Sequence, residues 1–210
     1  IPDNAGFDFI VVGAGSAGCT LATRLSEDGR HSVLLLDAGG PANNINLKIP
    51  LMVAKILNDE RYTWQYQTEP QSHLNGKPQR WVRGRVIGGS GSINGNLFVR
   101  GDPKEYDDWR DAGCKGWSYA DMLPYFKRLE DYPEGNSAVR GSGGPIHCTN
   151  LNGFDPLSDA FVAACGEAGH KQLPDYNDGS YEGAYHLQYS TRRGWRSSAA
   201  VICASVTEGS

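Results

Sequence analysis

Cysteine is sparse and unpatterned. Cys19, Cys114, Cys148, Cys165 and Cys203 stand singly in 210 residues, with no Cys-x-x-Cys among them. That spacing indicates neither a zinc module nor a disulfide framework, so no metal site is expected. The reading is reduced thiols, with Cys19, Cys165 and Cys203 serving as small hydrophobes on apolar segments. No apolar run approaches a membrane span, so no transmembrane segment is expected. A secretory pattern of charged, apolar and small residues is also missing, and the cytoplasm is the favoured location. Positive charge is not in excess: the formal net charge is −4, which offers no bulk attraction to nucleic acid or anionic lipid. Internal repeats and low-complexity tracts are lacking. What remains is 39% hydrophobic and 21% charged residues, an ordinary globular composition. The length suits one large domain or two small ones.

The most informative stretch is residues 7–40, FDFIVVGAGSAGCTLATRLSEDGRHSVLLLDAGG. Phe7, Phe9, Ile10, Val11 and Val12 form an apolar run that reads as a buried parallel strand. Gly13-x-Gly15-x-x-Gly18 follows at once, then Cys19, Leu21, Ala22 and Leu25 at helical spacing. A second apolar run, Val33 to Leu36, ends at Asp37. This is the strand, glycine turn, helix, strand and acid that a dinucleotide requires. Gly13 permits the tight turn, Gly15 lets the backbone approach a pyrophosphate, and Gly18 lets helix and strand pack closely. The diphosphate would sit over the free N–H groups of the helix start. Asp37 would accept hydrogen bonds from a ribose diol.

A second glycine-rich stretch runs from Arg80 to Trp109. Six glycines lie between Gly84 and Gly101, a composition unsuited to a helix or a flat strand interior. It suits a loop lying against a flat ligand, with Asn94 and Asn96 supplying donors and acceptors. Arg83 and Arg85 have the reach for phosphate, and the apolar Val86, Ile87, Ile93 and Leu97 imply burial.

In its wording, Gly84-Arg85-Val86-Ile87-Gly88-Gly89-Ser90-Gly91-Ser92-Ile93-Asn94, with Phe98, Gly101 and Asp107 beyond, resembles the first signature of the glucose–methanol–choline (GMC) oxidoreductases. Those are FAD-dependent and related to choline dehydrogenase. The likeness extends to 7–40, to WQYQTEP at 64–70, LPYFKRLE at 123–130, GSGGP at 141–145 and GWRSS at 194–198. It spans nearly the whole chain and marks it as choline-dehydrogenase-like, the N-terminal portion of such an enzyme.

The resemblance implies an α/β fold: a Rossmann-like FAD-binding domain, parallel sheet with helices, then the beginning of an antiparallel-sheet substrate domain. The expected boundary lies near residue 150, giving 1–150 and 151–210. It implies that Gly13, Gly15, Ser16 and Gly18 hold the FAD diphosphate and Asp37 the adenosine ribose. Arg85, Val86, Gly88 and Gly89 would run along the cofactor, and Asn94, Gly95, Asn96 and Leu97 would lie against the isoalloxazine. Ile93 stands where some relatives carry a His bonded to the flavin, so FAD is expected to be non-covalent. The chemistry implied is oxidation of a small-molecule alcohol by hydride transfer to flavin N5, with a His taking the hydroxyl proton. In the family that His lies far beyond position 210. None of His31, His73, His147, His170 and His186 is assigned to the role, and the missing C-terminal half of the polypeptide is an expected partner. The alternatives are a non-redox enzyme on the same scaffold, a hydroxynitrile lyase or fatty-acid photodecarboxylase, and an inactive fragment lacking the catalytic His.

Local signals fill in the rest. Residues 45–57 read as a short helix interrupted at Pro50, and 61–71 as an extended aromatic piece. Asn75-Gly76 reads as a hairpin turn. DPKEYDDWRDAG and SYADMLPYFKRLEDY read as helices, the second capped by Ser118 with Asp121, and 131–145 as a linker or turn. Ile146–Thr149 is an expected strand. Pro156–Ala168 is an expected helix with Phe161, Val162, Ala164 and Cys165 inward. Ala184–Tyr189 is a further strand.

Overall fold

The computed structural model describes residues 6–151 and 155–207. The chain divides into two units, residues 1–96 with 193–210 and residues 97–192. The division differs from the expected boundary near 150. That point lies inside the second unit, and the last segment returns to the first. The helix it ends in, α7 (Ala199–Thr207), packs along α1 (Ser16–Ser26).

In the first unit, β1 (Phe9–Val12) and β2 (Val33–Leu36) pair in parallel from Phe9↔Val33 to Val12↔Leu36, with α1 as the connection. Short apolar runs and a glycine between strand and helix make the turn possible. Gly13 takes φ +98°, where a side chain would be strained. Helix α1 buries its small residues, Cys19 and Ala22, so that Cys19, Ala14 and Ala199 close into a cluster with Leu35, Ile87 and Cys203 against it. The strands are less buried than their composition suggests. Ile10 is 62% and Val12 82% exposed, because the helices cover one face of a two-stranded pair and nothing among the described residues covers the other. Leu21 is exposed too.

A second cluster, Leu47, Ile56, Val86 and Ile93, gathers α2 (Ile45–Lys48), α3 (Val53–Leu57) and the glycine loop. The interruption at Pro50 is present as a short 3₁₀ turn, Pro50–Met52. β3 (Thr63–Gln67) and β4 (Arg80–Gly84) form an antiparallel hairpin from Thr63↔Gly84 to Gln67↔Arg80. Asn75 and Gly76 both adopt left-handed φ, 56° and 71°, the conformation that Asn-Gly accepts at low cost.

The second unit holds α4 (Pro103–Asp111), α5 (Tyr119–Leu129) and α6 (Pro156–Glu167). Each begins where an acceptor caps it. Asp102 accepts from Lys104 N, Ser118 and Asp121 form a reciprocal capping box, and Asp155 accepts from Leu157 N and Ser158 N. Helices α4 and α5 pack through Tyr106, whose ring lies 5.2 Å from Trp109 and 5.5 Å from Phe126. Strands are short: β5 (Glu130–Asp131) pairs in parallel with β6 (Ile146–His147), and β7 (Thr149–Asn150) antiparallel with β8 (Gln188–Tyr189). Two expectations shrink here. The expected strand at Ala184–Tyr189 reduces to Gln188–Tyr189 plus a single bridge from Ala184 to Gln172. Helix α6 turns Phe161 outward, 68% exposed, with Ala164 exposed and only Val162 and Cys165 partly covered. No helix among the described residues is long and apolar enough to cross a membrane.

Candidate functional site

The glycine turn, the acid and the glycine loop meet at the start of α1. Among the helices of nine or more residues with described caps, α1 alone lacks a side-chain cap; its N-cap is Gly15, and its first turn carries no acid. The first N–H groups of a helix need an acceptor from somewhere. In α4, α5 and α6 a side chain supplies it, whereas in α1 the backbone donors and the positive helix end face outward.

The two glycines flanking this start differ in what surrounds them. A Cβ on Gly18 would sit 1.8 Å from the Gly13 carbonyl oxygen, so Gly18 is demanded by helix-on-turn packing. A Cβ on Gly15 would meet nothing within 4 Å. The protein's own packing therefore leaves the volume over Gly15 open. That volume, bordered by amides with no side-chain cap among the described residues, fits a diphosphate.

The loop closes over the same point, backbone on backbone. Gly88 N donates to Ala14 O at 2.7 Å, and a Cβ on Gly89 would come within 2.8 Å of Gly15 Cα. The Ser16 hydroxyl faces Gly91, where an added Cβ would lie 3.2 Å away. Asp37, exposed at the end of β2, accepts from Ala14 N at 2.6 Å and Gly39 N at 2.7 Å. It thereby ties the second strand to the turn, and each carboxylate oxygen keeps a lone pair for a diol.

The remaining residues singled out from the sequence are placed as follows. Arg85 lies with its guanidinium 4.9 Å from the Trp64 ring centroid and donates to Glu60 O, and Arg83 lies over Trp81. Val86 and Ile93 point their side chains into the apolar cluster, so either can offer only its backbone to a ligand. Asn94 accepts through Oδ1 from Asn96 N and from Arg196 Nη1. Gly95 is exposed, and Asn96 is buried with φ 64°. Leu97 opens the second unit and is 50% exposed, against the burial expected for it.

Three supports were not singled out in the sequence. Gly39 lies so close to Arg85 that a Cβ would be 2.2 Å from its carbonyl carbon, and Ile87 N donates to Gly40 O. The Gly-Gly after Asp37 is a packing surface for the loop. Arg196 braces that loop from the other side, donating to Leu47 O at 2.8 Å, Gly91 O and Asn94 Oδ1; burial brings its guanidinium down to about 10. Ser198 Oγ lies 3.4 Å from Ser92 Oγ. The GWRSS wording was the signal for both. Beside the turn, burial chiefly, and then neighbouring Cys203, pushes the Cys19 thiol up to about 11.

A cavity of about 700 Å³ in the same unit is lined by Ile45, Leu47, Ile87, Trp195, Arg196 and Val201 among others, and takes no wall from the glycine turn or Asp37. The candidate site is therefore an open notch at the helix start. Among the described residues no three His, Cys, Asp or Glu side chains converge as metal ligands would.

Comparison with known proteins converges on one family. The sequence model of the GMC oxidoreductases matches residues 7–206. Oxygen-dependent choline dehydrogenase of Photobacterium profundum is 42% identical over 199 residues, which are 94% of this chain and 35% of that protein. Pyridoxine 4-oxidase from Mesorbium loti superposes with a TM-score of 0.87 at 33% identity, over 95% of this chain and 39% of the other. Formate oxidase of Aspergillus oryzae, in a structure concerned with modification of its FAD, gives 0.86 at 27% identity, over 96% and 37%. The chain thus spans about a third of the length of the curated relatives it matches.

Proposed function

The chain belongs to the GMC oxidoreductase family, and from that membership we propose that it supplies the FAD-binding part of an enzyme that oxidises an alcohol. The observation that carries the reading is the uncapped start of α1 with open volume over Gly15. When bound, FAD supplies the hydride acceptor. The residues of this chain hold and orient it. The amides following Gly15, with the Ser16 hydroxyl, receive the diphosphate; Asp37 receives the adenosine ribose while keeping the turn in register. Gly88 and Gly89 bring backbone close along the cofactor. Asn94 to Leu97 face the isoalloxazine, with Arg196 and Asp37 holding the two sides of the loop and turn. Ile93, buried and without a nucleophile, fits non-covalent attachment. None of the five histidines of residues 1–210 is assigned as the proton acceptor. The choline dehydrogenase relatives make a small amino alcohol the first substrate to try.

The test is flavin retention. The purified protein should carry close to one flavin per chain, released to the supernatant by acid. Gly15→Val should lose it while the far-ultraviolet circular dichroism stays the same, since the added side chain enters volume the protein leaves open. Stoichiometric flavin on the variant after gel filtration defeats the assignment.

A further inference from the structure

The first residues of the second unit are held in an unusual way. Leu97 bridges to Tyr189, and Phe98 N donates to Gln188 O at 2.9 Å, which gives this segment a partner strand on one side. Side chains supply the rest of its backbone bonds. Tyr176 Oη donates to Phe98 O at 2.6 Å, and Asn177 Nδ2 donates to the same oxygen at 3.0 Å. Arg100 N donates to Asn177 Oδ1, and Arg100 O accepts from Tyr181 Oη. Tyr176 also accepts from Gln188 N at 2.9 Å, so one hydroxyl joins the segment to its partner strand.

Behind these groups lies a buried set of ions. Glu130, fully buried, accepts from Arg100 Nη2 at 2.5 Å and Arg140 Nε at 2.8 Å. Arg140 Nη1 reaches both oxygens of Asp175 at 2.6 Å and Gln188 Oε1 at 3.1 Å. Asp175 in turn accepts from Asn177 N. Charges buried in this way are a poor means to stability, because desolvation offsets their attraction. Here Arg100 Nε is buried with no partner among the described residues, which adds a further cost. What such a network does supply is direction: every member has fixed bonds, so the groups it carries have one place to be.

We propose that Tyr176 and Asn177, the latter bonded to Asp175, are positioning residues that clamp Phe98 and so fix its chain neighbour Leu97. The proposal rests on the reading that Asn94 to Leu97 face the flavin. Sequence separation suits the role: residues 98 and 176 are joined by nothing local, so the clamp transmits the packing of the whole second unit to one peptide group.

Tyr176→Phe removes a single hydroxyl and keeps the ring, which stacks on Tyr185 at 4.2 Å. Tyr181→Phe is the matched control, releasing Arg100 O but not Phe98. Backbone amide exchange is followed in the flavin-loaded protein, together with the visible circular dichroism of the flavin. The expected result for Tyr176→Phe is about tenfold faster exchange at residues 97–100, unchanged exchange in α4 and α5, and an altered flavin band. Tyr181→Phe should leave the flavin band alone. Unchanged exchange at 97–100 overturns the clamp whatever the flavin does. Acceleration throughout the second unit also overturns it, in favour of plain stabilisation. Faster local exchange with an unaltered flavin band overturns the positioning role, and with it the placement of Leu97 against the ring, while leaving the diphosphate site untouched.

Discussion

The two units solve opposite problems. In the first, the candidate notch is made of backbone left without a partner among the described residues: an uncapped helix start, open volume over Gly15, a loop pressed close by glycine. In the second, charge and polarity are closed upon themselves, with Glu130, Arg140, Asn177 and Gln188 almost fully buried and bonded to one another or to main chain. The contrast teaches where a ligand belongs. A folded chain satisfies its own donors wherever it can, so donors left free beside an unfilled volume mark a binding site. Buried ions paired with one another mark geometry instead.

The largest break in this comparison should come from Glu130→Ala. It strips two buried guanidinium groups of a partner, and denaturant unfolding should show a loss of about 3–5 kcal/mol. If the loss is under about 1 kcal/mol, the second unit is not organised around these ions.

Next come the paired glycines of the first unit. Gly18→Ala drives a methyl into the Gly13 carbonyl and should cost about 1–3 kcal/mol of stability as well as the flavin. Gly15→Ala should leave apoprotein stability within about 0.5 kcal/mol while weakening flavin binding. Equal melting losses for both would remove the distinction between packing glycine and binding glycine.

Asp37→Ala should act on both counts, moderately. It removes the acceptor of Ala14 N and Gly39 N, and with it the acceptor proposed for the ribose. FAD affinity should fall about ten- to a hundredfold, at about 1.4 kcal/mol per decade. Titration calorimetry showing unchanged affinity means the carboxylate serves the turn alone.

The smallest effect concerns pH in the second unit. Asp131 accepts from Gly143 N and lies 2.9 Å from His147 Nδ1, and these two partners, the amide first, hold its carboxyl below the usual range. A depressed folded value contributes stability that is present above about pH 3.9, the unfolded value, and is lost on further acidification through the folded one. Asp131→Asn should flatten the acid limb of the stability curve in that window. An unchanged acid limb in urea titrations removes Asp131 from the account.

Much was legible in the sequence where the determinant is local. The glycine turn, the Asn75-Gly76 hairpin, the Ser118 capping box and the break at Pro50 each follow from backbone chemistry within a few residues. Burial was less legible. Phe161 and Leu97 look like core residues by composition, and Ile10 and Val12 like a buried strand, yet exposure depends on what packs against them. Glu130 and Arg140 gave no signal, because a charged residue reads as surface until its partner, 10 to 48 positions away, is known.

By itself the sequence determined which peptide groups could turn, cap and approach closely, since glycine, proline, asparagine and serine act through their own backbone. It also carried the family resemblance. Only the tertiary structure decided which glycine leaves room for a ligand and which is filled by its own carbonyl. It alone brought Arg196 to the loop across more than a hundred residues and drew three buried charges and the part-buried Asp175 into one cluster. Such pairings rest on distance in space, and the energy of a buried charge or an added methyl is set by what stands within a few ångströms.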